Sequence, residues 1–127
     1  MEKGIKNIIE IKVNQSNTAV SMNSGTLSVF ATPAMVALIE ETAWRSIMPY
    51  LDEGLSTVGT RLDIEHVSPT PVGMNVKCET ELIEIDGRRL KFKTNVYDET
   101  GLIGTGTHER FIVNTVKFQT KANNKNI

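Results

Sequence analysis

An α+β domain, in which a curled antiparallel sheet wraps one long helix, is the fold class that three features of the sequence predict. One segment, Thr32 to Met48, has helix signals and apolar side chains almost all round. Everything after it reads as strand, turn and strand, with a clean period of two in Leu90-Lys91-Phe92-Lys93-Thr94-Asn95-Val96. The chain has only 127 residues, enough for a single core. One domain over residues 1–119 is expected, followed by a disordered tail over 120–127 whose residues are nearly all polar.

The elements follow in order. Ile5 to Val13 alternates imperfectly, Ile9, Ile11 and Val13 against Glu10 and Lys12, and suits an amphipathic strand. Ala19 and Val20 suggest a second short strand, and Asn23-Ser24-Gly25 a turn. Thr32 then serves as helix N-cap with Pro33 at the first helical position, and Pro49 and Gly54 end the helix. About 16 residues at 1.5 Å each span roughly 24 Å, nearly the width of so small a domain. On this helix Glu41 and Arg45 form an ordinary i,i+4 ion pair, whereas Glu40 falls between Val36, Trp44 and Ile47.

Beyond the helix, Thr57 to Val67 is a strand interrupted by Gly59. The Pro- and Gly-rich run Ser68 to Gly73 is a turn, and Met74 to Ile85 is the next strand. Asp86-Gly87 marks a tight hairpin, and Asp98 to Gly101 turns the chain again into a strand from Leu102 to Phe118. Three long antiparallel strands in sequence make a meander, and curling it round the helix explains why the helix is so apolar. This is the outline of a hotdog fold. Its end strand would be left exposed, so a homodimer or larger homo-oligomer is expected.

Composition narrows the function. With 14 Lys and Arg against 15 Asp and Glu, there is no broad field to attract nucleic acid or an acidic membrane. A single cysteine, Cys78, forms no intramolecular disulfide, and with two histidines it falls short of a structural zinc site, so no metal is expected. No window approaches a membrane helix, and the start lacks a secretory signal, which gives a cytoplasmic expectation.

Three residues invite chemistry. Glu40 in an apolar setting favours its neutral form unless a partner compensates the lost solvation; the bland alternative is escape to solvent. His66, at a strand end before the Pro-rich turn, suits acid, base or hydrogen-bonding work near neutral pH, although a histidine there is more often structural. Thr32 already has a role as cap. Thr32 and Glu40 are eight positions apart, about 12 Å along an ideal helix, so they cannot bond directly within one chain. Either they flank a substrate or the site combines two subunits.

The segments Val29-Phe30-Ala31-Thr32, Met35-Val36 with Glu40, Met48-Pro49-Tyr50-Leu51, Val58-Gly59-Thr60, His66 with Pro69-Thr70-Pro71-Val72-Gly73, Gly87-Arg88-Arg89-Leu90 and Gly104-Thr105-Gly106-Thr107-His108-Glu109-Arg110 resemble the fluoroacetyl-CoA thioesterase branch of the hotdog thioesterases, in their intervals as well as their letters. The resemblance runs from about residue 29 to 118. It implies a homodimeric enzyme that hydrolyses an acyl-CoA thioester without a cofactor. It places the family's catalytic threonine, glutamate and histidine on Thr32, Glu40 and His66, and the glycine lining its acyl pocket on Gly59. The phenylalanine of the family's lid falls on Thr26, so the expected substrate is a short or medium acyl-CoA rather than the fluorinated one. His108 and Arg110 lie in a matched segment, but strand alternation alone can turn them outward, and no catalytic role is read for them. Lys77, Arg88 and Lys117 are too scattered to choose among as phosphate contacts. Two other readings stay open on the same fold: a hydratase or dehydratase acting on acyl-CoA, and a module that binds acyl-CoA without turning it over.

Overall fold

The computed structural model describes residues 1–126. It comprises β1 (Lys6–Lys12), α1 (Thr32–Ile47), β2 (Leu55–His66), β3 (Asn75–Asp86), β4 (Arg89–Asp98), β5 (Gly101–Asn114) and α2 (Thr115–Asn123), with a 3-10 turn at Met48–Tyr50 after α1. The strands form one antiparallel sheet in the order β1-β3-β4-β5-β2. The expected meander is its centre, and the two strands flanking α1 in sequence become its edges. Asp86-Gly87 makes the β3–β4 turn with Gly87 at φ 61°, a conformation that costs glycine little. At the next turn the Asp98 carboxylate accepts from Thr100 N at 2.8 Å and from Thr70 Oγ1 at 2.8 Å, tying the Pro-rich turn to this end of the sheet.

The core divides in two along α1. Phe30, Met35, Leu38 and Ile39 pack with Val76, Val96 and Ile103, while Ala43 and Ile47 pack with Leu82, Leu90 and Phe92. Apart from Ala43, each such side chain contributes roughly 1.5–3 kcal/mol by leaving water. Thr42, Thr80 and Thr94 are buried at the seam; Thr42 Oγ1 bonds back to Leu38 O at 2.7 Å, and Asn7 Nδ2 reaches Thr42 O at 3.1 Å. The helix is not covered on every side. Pro33, Ala37 and Arg45 are exposed, and Val36, Glu40 and Trp44 are half-buried. The expected Glu41–Arg45 pair forms at 2.8 Å.

Several expectations are corrected. Ala19-Val20 is not a strand: beside it lies an isolated bridge, Thr18 to Phe30. Ala19 N donates to Val29 O at 2.8 Å and Val20 N to Leu27 O at 3.1 Å, but Thr18 and Ser21 bond to one another in a turn and no ladder continues. The N-cap of α1 is Ala31, without a side-chain cap, and Thr32 and Pro33 are the first two helical residues. The strand expected to reach Phe118 stops at Asn114, whose Oδ1 accepts from Lys117 N at 3.0 Å and starts α2. The tail expected over 120–127 is therefore helical as far as Asn123; Ile127 lies outside the described residues.

Candidate functional site

β2 ends on His66 beside the first turn of α1, and Thr32 Oγ1 lies 2.8 Å from His66 Nδ1. The hydroxyl that was expected to cap the helix is engaged here instead. His66 Nε2 is buried without a hydrogen-bond partner among the described residues. Phe30 presents its ring edge-on to the imidazole, with centroids 6.5 Å apart. Burial pushes the His66 pKa below its ordinary 6.5, against a smaller raising effect of the Ser68 backbone. The ring is therefore neutral at pH 7 and able to accept the Thr32 proton. A cavity of about 280 Å³ opens here, lined among others by Ala19, Ser24, Phe30, Thr32, His66 and Ser68.

Glu40 is two turns further along α1 and meets a different set. Its Oε2 accepts from Arg110 Nη1 at 3.1 Å, so the carboxylate sits half-buried against a guanidinium rather than alone among apolar groups. Arg110 is 5% exposed. Its Nε donates to Thr57 Oγ1 at 2.9 Å and its Nη2 to Thr57 O at 3.1 Å. The remaining contact of Nη1 is His108 Nε2, at 3.1 Å. Gly59 is what lets these groups meet: a Cβ built there would overlap Glu40 Oε2 and stand 3.3 Å from Arg110 Nη1. In the ladder Gly59 faces Arg110 across β2 and β5, and the register slips between Gly59 and Arg61.

Thus Thr32 and His66 come together, Glu40 and Gly59 come together, and the helix keeps the two groups apart within one chain. His108 and Arg110 were the residues that strand alternation failed to find. Counted back from the turn, Asp98 pairs with Gly101 and Tyr97 with Leu102, a register that would put Thr107 and Glu109 inward. A bulge shifts the count by one, so that Val96 pairs with Gly104, Phe92 with His108 and Leu90 with Arg110. The side chains opposite buried Phe92 and Leu90 are inside.

A five-stranded antiparallel sheet on one long helix, with a polar pair at the helix start, defines the hotdog fold of the thioesterase superfamily. A Thermus thermophilus member of that superfamily superposes with a TM-score of 0.90 at 26% identity, over 98% of this chain and 93% of its own. Residues 13–116 match the family of fluoroacetyl-CoA-specific thioesterases. The fluoroacetyl-CoA thioesterase of Streptantibioticus cattleyicolor is 39% identical over 97 residues, 76% of this chain and 70% of that protein. The solved fluoroacetyl-CoA thioesterase FlK superposes with a TM-score of 0.93 at 32% identity, covering 98% of this chain and 97% of that one. The chain belongs to the fluoroacetyl-CoA-specific thioesterase family, a family of thioester hydrolases.

Proposed function

We propose that this protein hydrolyses a short or medium acyl-CoA to the free acid and coenzyme A, with Thr32, His66 and Glu40 as its catalytic residues and Gly59 lining the acyl pocket. The observation that carries the reading is the 2.8 Å contact between Thr32 Oγ1 and His66 Nδ1 beside an open cavity, with Nε2 unpartnered. Neutral His66 accepts the Thr32 proton as Oγ1 attacks the thioester carbonyl. The imidazolium returns that proton to the departing thiolate, and CoA leaves as the thiol. Water, deprotonated by His66, then opens the acyl-threonine ester and restores the hydroxyl.

Glu40 fits the water step better than the attack. Acylating it would neutralise the carboxylate and leave the buried Arg110 guanidinium without its counter-charge, a costly state. Kept ionised, it holds Arg110 with Oε2 and has Oε1 to orient water. Because about 12 Å of helix separates Glu40 from Thr32, the complete site is read as lying between two subunits of a homodimer, one contributing Thr32 and His66 and the other Glu40. The open face of α1 and the largely exposed edge strand β2 support that assembly. The acyl class rests on the lid position, where Thr26 is exposed in place of a bulky apolar gate.

The test is thiol release from a panel of acyl-CoA esters, fluoroacetyl and acetyl through to long-chain, run beside Glu40→Gln. Release that falls by roughly 10²-fold or more in the variant supports the reading. A variant as active as the unsubstituted protein overturns the role of Glu40. Binding of every ester without thiol release moves the protein to the binding-module reading, and loss of the enoyl or hydroxyacyl form without thiol moves it to hydration.

A further inference from the structure

A histidine lies wholly inside the protein beside Arg110, the arginine that holds Glu40. His108 is 0% exposed. Its Nδ1 lies 2.8 Å from the carbonyl oxygen of Arg61, and its Nε2 lies 3.1 Å from Arg110 Nη1. A carbonyl only accepts, so Nδ1 carries the proton; a guanidinium only donates, so Nε2 is bare. Both partners select the same neutral tautomer. The ring also stacks on Phe92, with centroids 6.2 Å apart and planes at 27°.

The backbone builds this arrangement on purpose of geometry rather than sequence spacing alone. The bulge in β2 falls between Gly59 and Arg61, and the Arg61 carbonyl beyond it is the one that receives Nδ1–H. The bulge in β5 turns His108 and Arg110 inward together. The two Nη1 hydrogens of Arg110 are then divided between His108 Nε2 and Glu40 Oε2. Since Thr57 fixes Nε and Nη2, His108 supplies the one acceptor that keeps the fork turned with its second Nη1 hydrogen on Glu40.

We propose that His108 is a positioning residue: as a fixed Nδ1–H imidazole it orients Arg110, and through Arg110 it holds the Glu40 carboxylate in its working direction. The proposal rests on the reading of Glu40 as catalytic. It makes a chain of four groups, Arg61 carbonyl, His108, Arg110 and Glu40, in which only the last meets substrate or water. Protonating His108 would set Nε2–H against Nη1–H and break the chain. The charges around the ring are Arg110, Glu40 and Glu109, and the backbone carbonyl of Arg61 completes the set; burial is the larger influence and keeps the ring neutral.

Two substitutions separate the two ends of the ring. In His108→Gln the side-chain oxygen stands near the place of Nε2 and still accepts from Arg110; in His108→Asn the amide nitrogen stands near the place of Nδ1 and still donates to Arg61, but nothing accepts from Arg110. With thiol release from the best acyl-CoA of the panel, His108→Asn is expected to lose roughly tenfold in kcat with a smaller change in KM, and His108→Gln to keep most of its kcat at a similar melting temperature. In a Glu40→Gln background the Asn substitution is expected to cost less than about twofold, because its target is already gone. Long-range proton–nitrogen NMR of the unsubstituted protein is expected to show Nδ1 protonated and Nε2 bare, a readout that needs no variant to fold. An Nε2–H tautomer, an undiminished kcat in His108→Asn, or equal losses in Asn and Gln overturns the proposal. If Glu40→Gln alone is fully active, the failure is that of the Glu40 reading, and it takes this proposal with it.

Discussion

At the start of α1, Thr32 and His66 share one hydrogen bond and leave a ring nitrogen without a partner beside an open cavity. Two turns along, Arg110 has four of its five N–H groups directed at Thr57, His108 and Glu40, in a nearly dry setting. The first cluster opens on a cavity and, on the proposed reading, faces the substrate. The second is nearly saturated and spends its bonds holding one carboxylate still. A buried unpaired nitrogen costs about 1–3 kcal/mol, which a fold tolerates where a substrate will supply the missing contact. Saturated networks, by contrast, resist movement, and suit a group whose direction matters more than its reactivity.

The sharpest way to break this contrast is at the open end. His66→Ala removes the proposed base, and thiol release is expected to fall by about 10²–10⁴-fold, with little change in melting temperature because His66 is only half-buried. Activity that survives within a few-fold would move the chemistry away from this cluster. A milder break comes at the saturated end through Gly59→Ala. The added methyl meets the tip of Glu40 rather than backbone, so the fold is expected to persist while Glu40 swings off Arg110 and kcat drops by roughly 10–100-fold. A crystal structure of the variant with the Glu40–Arg110 pair intact would contradict that account.

The smallest effect is that of pH, and it sharpens the comparison because both clusters contain a histidine held below its ordinary pKa of 6.5 by burial. A depressed pKa means the folded state binds fewer protons than the unfolded one. Stability is therefore expected to be flat above pH 6.5 and to decline as the pH falls below it toward the folded values. Denaturant melts at a series of pH values measure this; stability that rises on acidification from pH 6.5 would contradict it. On the proposed role of His66, kcat/KM is expected to show no His66 limb above pH 6.5, with its acid limb displaced below that value.

Much of the fold was legible because it depends on period and punctuation. The apolar rows of α1, the Asp86-Gly87 hairpin and the alternation of Leu90 to Val96 each carry their own local cause. Glu40 and His66 stood out from their positions alone, and the resemblance to a family joined them with Thr32 into the proposed catalytic set. Arg110 and His108 were not legible, since one unpaired residue in β5 reverses which face every later side chain occupies, and nothing local in Ile103-Gly104 announces it. The helix α2 was hidden for another reason. It buries no side chain, so it shows no apolar face to count, and its beginning depends on the Asn114 cap.

Gly59 bears on how proteins of this design diversify. Hydrogen is already the smallest substituent a residue can carry, so no mutation at this position can enlarge the space beside Glu40; each one fills it. On the proposed reading of Gly59 as part of the acyl pocket, a lineage that admits a bulkier acyl group finds the room in other walls, because this one is out of reach of selection for size. Change at residue 59 has a single direction, and that direction runs toward losing the carboxylate's anchor.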